Sequence, residues 1–334
     1  MTPHAISDET RAALLAALQS GLPLSARPFA DLAREAGCTE AETIAEVARL
    51  REKGLVRRFG AVFDTRRLGY RSALCAVSAA DCDAAAAAVT PLPGVTHCYL
   101  REPSVPHGRA LPALWFTLST PADVFPAMQA DVRRRLAPHS SGPVHFLPAS
   151  RRYKVDVVFG AASRARDEST SDDLGPVSPL DRAVISALQG DTEVRPDYFA
   201  AIASRLGVKE WDLLSTLELW RRTGRLKRIG LLLSHRTAGY SANGMCCWRI
   251  EGETLAAGRA LAERGEVTHC YERPPVPDFD YNLFAMVHAC SLDEAEGQFA
   301  ALRAVVDGVC QADVPAVMLV STREYKKTSM TFFA

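Results

Sequence analysis

Val95-Thr96-His97-Cys98-Tyr99 recurs unchanged as Val267-Thr268-His269-Cys270-Tyr271. Ordered matches extend from this pair in both directions. Upstream, the segment Leu50 to Gly60, with Gly54, Arg57-Arg58 and Gly60, lines up with Leu219 to Gly230, with Gly224, Lys227-Arg228 and Gly230. Phe29 pairs with Phe199, Gly37 with Gly207, Arg66 with Arg236, and Gly69-Tyr70 with Gly239-Tyr240. Downstream, Arg151-Arg152-Tyr153-Lys154 matches Arg323-Glu324-Tyr325-Lys326. Matches kept in this order identify an internal duplication. The stretch 161–178, rich in Ser, Asp and Arg, reads as the linker between the copies.

Each half opens with helices. Leu14, Leu15 and Leu18, then Phe29, Leu32 and Ala33, fall at helical spacing, and Gly37 supplies a turn. Ile44, Val47 and Leu50 form the face of a third helix that stops at Gly54. A strand pair, 55–63 with 71–78, completes a winged helix-turn-helix that leads into a sheet. Beyond it the pattern gives a helix at 83–90, strands at 95–101 and 114–119, a helix at 122–136 and a strand at 144–158. This β-α-β-β-α-β order predicts a ferredoxin-like sandwich, helices on one sheet face and the other face open to a ligand. The expected class is α+β, a tandem duplication of winged helix-turn-helix plus ferredoxin-like domain. The expected limits are 1–56 and 57–160 for the first half, and 179–226 and 227–334 for the second.

Charge and composition narrow the function. Among 334 residues, Lys+Arg and Asp+Glu both number 39, so no overall basic field attracts nucleic acid. The third helix carries Glu40, Glu42 and Glu46 before its first basic residue, Arg49, and its counterpart sets Lys209 against Glu210, Asp212 and Glu218. Carboxylates there repel phosphate where a DNA reader needs attraction, so no specific nucleic-acid partner is expected. The nine cysteines form no CxxC pair, and 1–11 is polar without an apolar core. The Ala-rich run 84–89 is too short to span a bilayer. A cytoplasmic protein with reduced thiols and no membrane partner is the expectation.

The chemistry sits on strands. Alternate strand residues share a face, so His97, Tyr99 and Arg101 point one way, as do His269, Tyr271 and Arg273. A surface strand with one hydrogen-bonded histidine explains either copy alone; the whole stripe repeated favours function. Basic residues flank it: Arg57, Arg58, Lys227 and Arg228 early in each sheet region, and Arg151, Lys154, Arg323 and Lys326 beside Tyr153 and Tyr325 near each end. Guanidinium groups suit carboxylates, so the expected ligand is large, flat and polyanionic. Cys246-Cys247 has no partner motif for a metal, and neither GxGxxG nor GxxxxGK[ST] occurs, so no metal or nucleotide cofactor is expected.

Three features together, Arg57 to Asp64 with Leu68-Gly69-Tyr70, the doubled Val-Thr-His-Cys-Tyr, and Tyr281-Asn282-Leu283-Phe284 running to His288, resemble the siroheme decarboxylases. These are Lrp/AsnC-like enzymes of haem d1 and alternative haem biosynthesis, and the likeness covers both halves. It implies a fused D–L type decarboxylase, an intramolecular pseudo-heterodimer open to further homo-oligomerisation. It also implies removal of the C12 and C18 acetate carboxyls of siroheme without an added cofactor, the iron arriving with the substrate. Carried onto this chain, His97, His269, Tyr99 and Tyr271 are the catalytic candidates. Arg57, Arg58, Arg101, Arg151, Lys154, Lys227, Arg228, Arg273, Arg323, Lys326, Tyr281 and His288 are the substrate-binding candidates. One departure stands out: the first half has Ala110 to Leu114 and an extra Pro106-His107-Gly108 loop where the second has Asp280 to Leu283. On that ground His269 is expected to outrank His97 in turnover, with Pro112 suiting an edge better than a pocket floor. A regulator of the Lrp/AsnC type and a non-catalytic tetrapyrrole carrier are the competing readings.

Overall fold

The computed structural model describes residues 6–155, 175–233 and 241–333. Residues 161–174 of the expected linker, and Arg236, Gly239 and Tyr240 of the repeat, lie outside the described residues. The first half runs α1 (Asp8–Ser20), α2 (Pro28–Ala36), α3 (Glu40–Glu52), β1 (Val56–Phe63), β2 (Tyr70–Val77), α4 (Cys82–Val89), β3 (Val95–Pro103), β4 (Leu114–Pro121), α5 (Phe125–Leu136), β5 (His145–Leu147) and β6 (Arg151–Val155). The second repeats the order: α6 (Pro179–Gln189), α7 (Tyr198–Leu206), α8 (Glu210–Arg222), β7 (Leu226–Leu233), β8 (Ala242–Trp248), α9 (Leu255–Ala262), β9 (Val267–Glu272), β10 (Leu283–Ala289), α10 (Leu292–Cys310) and β11 (Ala316–Lys327).

Local chemistry sets the helix ends. Gly37 and Gly207 end α2 and α7 at φ 74° and 68°, a conformation side chains resist. Thr39 and Glu42 close a reciprocal capping box on α3, as Ser178 and Asp181 do on α6. Two of the acidic residues of α3 are held in ion pairs, and of these only Glu46 is buried. Glu40 pairs with Arg27, and the buried Glu46 pairs with Arg49 and Arg11.

Each half holds a four-stranded antiparallel sheet of ferredoxin-like order, β5-β2-β4-β3 and β11-β8-β10-β9. Helices α4 and α5 cover one face of the first sheet, packing around Cys75, Phe116 and Leu136; α9 and α10 cover the second around Trp248, Leu261 and Leu302. The opposite faces are not open, which corrects the expectation from sequence. They pack on each other through Ala76, Trp115, Leu147, Met245, Cys247, Phe284 and Leu319. Side chains this apolar gain more from mutual burial than a ligand-bearing surface would allow.

The closing strands tie the halves together. β11 pairs with β8 over 316–320, then continues along β3 of the first half as far as Lys327 opposite His97. The single strand expected at 144–158 is two. Pro148 lacks the N–H a ladder needs, so β5 pairs with its own β2 and β6 restarts along β9 of the second half.

The helical parts also interlock. The expected pairing of β1 with β2 does not form, because β2 is taken on both sides by β4 and β5. Instead β1 pairs antiparallel with β7, Gly60 opposite Gly230. A Cβ at Gly60 would lie 2.3 Å from the Gly190 carbonyl oxygen, and one at Gly230 would lie 2.4 Å from that of Leu18. Each glycine therefore admits the end of the other half's first helix, and Phe29, Phe59, Tyr198, Phe199 and Trp220 fuse into one core.

Candidate active site

Each histidine stripe carries a β-bulge. On β3, Val95 pairs with Leu118 and His97 with Thr117, leaving Thr96 extra; on β9, Val267 pairs with Val287 and His269 with Met286, leaving Thr268 extra. A bulge re-aims side chains next to a site. Here it brings each threonine hydroxyl against the following imidazole: Thr96 Oγ1 to His97 Nδ1 at 2.9 Å, and Thr268 Oγ1 to His269 Nδ1 at 3.1 Å. The ring centres of His97 and Tyr99 are 6.2 Å apart, and those of His269 and Tyr271 are 6.1 Å apart. Arg101 and Arg273 then lie over the tyrosine rings, at 5.3 and 4.9 Å.

Both arginines cross between the halves. Arg101 Nη1 donates to the Leu319 carbonyl at 3.1 Å, and Arg273 Nη1 to that of Leu147 at 2.5 Å. Burial lowers each guanidinium to about 10, a cost a charged group bears only where charge is useful or compensated. The Arg273 Nε is buried and meets no hydrogen-bond acceptor among the described residues. The Tyr271 phenol is raised above its ordinary value by burial, with Arg273 opposing.

Around Tyr99 stand Arg57 and Glu324, within electrostatic reach of each other, and Lys327 beside His97. A crevice of ≈ 440 Å³, measured out to solvent, opens here between Tyr99, Asn243, His288 and the Ser321–Glu324 stretch. Around Tyr271 stand Arg152, its neighbour across β6 and β9, and Asp64, which accepts from Arg152 at 3.0 Å with Lys227 at 3.7 Å. Burial alone would raise the Asp64 carboxyl, yet Arg152, Lys227 and Arg66 together hold it below its usual value. Each site thus gathers more cations than carboxylates: Arg57, Arg101 and Lys327 with Glu324, and Arg152, Lys227, Arg273 and Arg66 with Asp64. That surplus attracts a polyanion.

Of the other candidates, His288 and Arg323 also line the crevice, and the rest fall elsewhere. Arg57 and Arg58 both donate to Ser329 Oγ, and Arg58 also donates to the Ala61 carbonyl. Burial, with Arg57 and Arg228 nearby, lowers it to about 10. Arg228 sits on β7 against Gly21. Lys154 donates to the Arg264 carbonyl at 2.7 Å and Lys326 to that of Thr90 at 2.5 Å, tying down the chain just beyond α9 and α4. Arg323 pairs with Asp83, and Arg151 with Glu272. Tyr281 is buried between the sheets, its hydroxyl 3.0 Å from His107 of the extra loop. His288 lies 3.3 Å from Thr268 and so joins the site.

Sequence reasoning missed Arg152, Asp64, Glu324, Lys327 and Asn243. Arg152 aligns in the repeat with Glu324, so self-comparison carries no signal at that position. The bulges between Arg152 and Lys154 and between Glu324 and Lys326 give these two residues the places beside the tyrosines.

Comparison with known proteins gives a consistent answer. The AsnC-like ligand binding domain matches residues 67–154 and 237–326, and the siroheme decarboxylase NirDL-like HTH domain matches 12–57. A siroheme decarboxylase of Hydrogenobacter thermophilus is 33% identical over 328 residues, 96% of this chain and 94% of that protein. The crystal structure of the siroheme decarboxylase NirDL superposes with a TM-score of 0.73 at 27% identity, covering 97% of this chain and 94% of that one. NirDL in complex with an iron-uroporphyrin III analogue superposes at 0.71, also at 27% identity, covering 97% and 95%.

Proposed function

The chain belongs to the siroheme decarboxylases, Lrp/AsnC-like carboxy-lyases, and on that premise we propose that it removes the C12 and C18 acetate carboxyls of siroheme, giving 12,18-didecarboxysiroheme. The observation that carries this reading is the doubled bulge, which orients His97 and His269 by their threonines beside a tyrosine and a buried arginine. The two halves act as an intramolecular pseudo-dimer, because Arg101, Arg273, β6 and β11 all cross between them.

The chemistry follows from the groups present. The bond between the acetate methylene and its carboxylate breaks, CO2 departs, and the electron pair left on the methylene takes a proton to become a methyl group. His97 or His269 supplies that proton, the imidazole being the side chain that holds one near neutral pH. Proton donation contributes ~10²–10⁴-fold, short of the roughly 8–23 kcal/mol that enzymes supply. Positioning supplies the rest. Arg57, Arg101, Lys327 and Glu324 frame the ring at one site, and Arg152, Lys227, Arg273 and Asp64 at the other. The buried Arg273 Nε, which meets no acceptor among the described residues, is a donor left for a substrate carboxylate. Stripping water from the reacting carboxylate raises its energy toward neutral CO2. No cofactor is added, because the tetrapyrrole and its iron are the substrate.

Anaerobic incubation with siroheme followed by mass spectrometry tests the reading. A product lighter by two carboxyl groups is expected. Bound siroheme recovered with its mass unchanged makes the protein a carrier.

A further inference from the structure

Where the second half carries Asn243 on β8 and His288 on β10, paired across the ladder, the first half carries Ser72 and Ser119, also paired and hydrogen-bonded to each other at 2.8 Å. The substitution is not neutral. Arg101 Nη2 donates to Asn243 Oδ1 at 3.2 Å, Asn243 Nδ2 meets His288 Nε2 at 3.4 Å, His288 Nδ1 meets Thr268 Oγ1 at 3.3 Å, and Thr268 Oγ1 meets His269 Nδ1 at 3.1 Å. This chain runs from the arginine of one site to the histidine of the other. We propose that Asn243 and His288 form a one-way hydrogen-bond relay from Arg101 to His269, acting as positioning residues for that histidine and not for His97. The inference rests on reading His269 as a proton donor.

The direction comes from donor chemistry. A guanidinium only donates, so the Asn243 atom facing Arg101 is the oxygen, and the nitrogen faces His288. An amide nitrogen donates, so His288 Nε2 accepts and the ring carries its proton on Nδ1, which donates to Thr268. The Thr268 hydroxyl proton then has two acceptors left, His269 Nδ1 at 3.1 Å and the Met286 carbonyl at 3.2 Å. When His269 is neutral the hydroxyl donates to Nδ1, which puts the imidazole proton on Nε2. When His269 takes a second proton on Nδ1, that N–H donates to Thr268 and the hydroxyl turns to Met286. Nε2 carries a proton in both states, and every partner stays satisfied. In the first half Thr96 Oγ1 sits between His97 Nδ1 and Thr117 Oγ1 at 2.8 Å. A second hydroxyl can donate or accept, so it imposes no direction.

Asn243→Asp tests this with almost no change of shape. Aspartate still accepts from Arg101 but offers His288 an acceptor, so the His288 proton moves to Nε2 and Thr268 is drawn away from His269. Histidine-selective 15N spectra of the substrate-free full chain read the ring protons directly. The expected result is Nδ1–H on His288 in the parent and Nε2–H in the variant. Single-turnover kinetics should show the His269-dependent decarboxylation slowed ~10-fold or more, the scale for losing an orienting partner. A parent His288 protonated on Nε2 overturns the relay, as does an Asn243→Asp protein that turns siroheme over at both parental rates. If the variant does not fold, the parent spectrum decides alone. Because it needs no substrate, it judges the relay even where siroheme is not decarboxylated, which is a failure of the functional reading instead.

Discussion

The Arg273 guanidinium lies 4.9 Å from the centre of the Tyr271 ring while its Nη1 holds the Leu147 carbonyl of the other half. Arginine does both because its plane stacks while its edge donates, and a lysine ammonium does neither well. Arg273→Lys is expected to keep the fold and weaken siroheme binding ~10-fold, about 1.4 kcal/mol, read by optical titration. Unchanged affinity removes Arg273 from the substrate contacts.

The threonines before the histidines orient an imidazole and carry little of the core. Thr96→Val and Thr268→Val should leave the melting temperature near that of the parent. Each should slow its own decarboxylation step ~10-fold, as loss of an orienting partner does, while serine at either position restores the rate. Equal rates for valine and serine would mean that the hydroxyl plays no part.

Asp64 binds Arg152 and Lys227 with its carboxyl held below the usual value. A depressed acid takes up its proton less readily folded than unfolded. Its stabilisation is therefore complete above the unfolded value near ~3.9 and is lost as pH falls through the folded one. Asp64→Asn should cost ~2 kcal/mol at pH 7, the scale for losing a hydrogen-bonded charge pair, measured by urea unfolding. The difference from the parent should shrink on going below about pH 4. A gap that stays constant with pH would show that the charge is not what matters.

Gly60 and Gly230 are required by the close approach of backbone from the opposite half. Backbone cannot swing aside as a side chain end can. Gly60→Ala and Gly230→Ala should each destabilise by ~1–3 kcal/mol, the usual cost of overpacking. Gly108→Ala, with open space around it, should cost little. Thermal melts of the three variants check the contrast.

Much of this architecture was legible in the sequence where the signal is local. The duplicated pentapeptide, the glycines ending α2 and α7, and the apolar spacing of Phe29, Leu32 and Val47 each point to their own element. Partner choice is not local. Nothing in the pattern of β1 says that it pairs with β7 rather than β2, and the Gly60–Gly230 contact makes sense only once both halves are present. The site divides the same way. Period-two alternation placed His97, Tyr99 and Arg101 together, but the bulges at Thr96 and Thr268 break that period and have no distinct sequence mark. Arg152 and Glu324, unlike in charge at equivalent positions, gave self-comparison nothing to detect.

The central claim is that His97 and His269 serve two sites, each assembled from both halves. Single-turnover kinetics on His97→Ala and His269→Ala, following mono- and didecarboxylated siroheme separately by mass, test it most directly. His269→Ala is expected to lose ~10²-fold or more in rate, the low end for removing a general acid. His97→Ala is expected to lose less, or to stop at the monodecarboxylated product if each half handles one acetate. If His97→Ala abolishes both steps while His269→Ala leaves both near the parental rate, a single site at His97 does the chemistry and the two-site account is wrong.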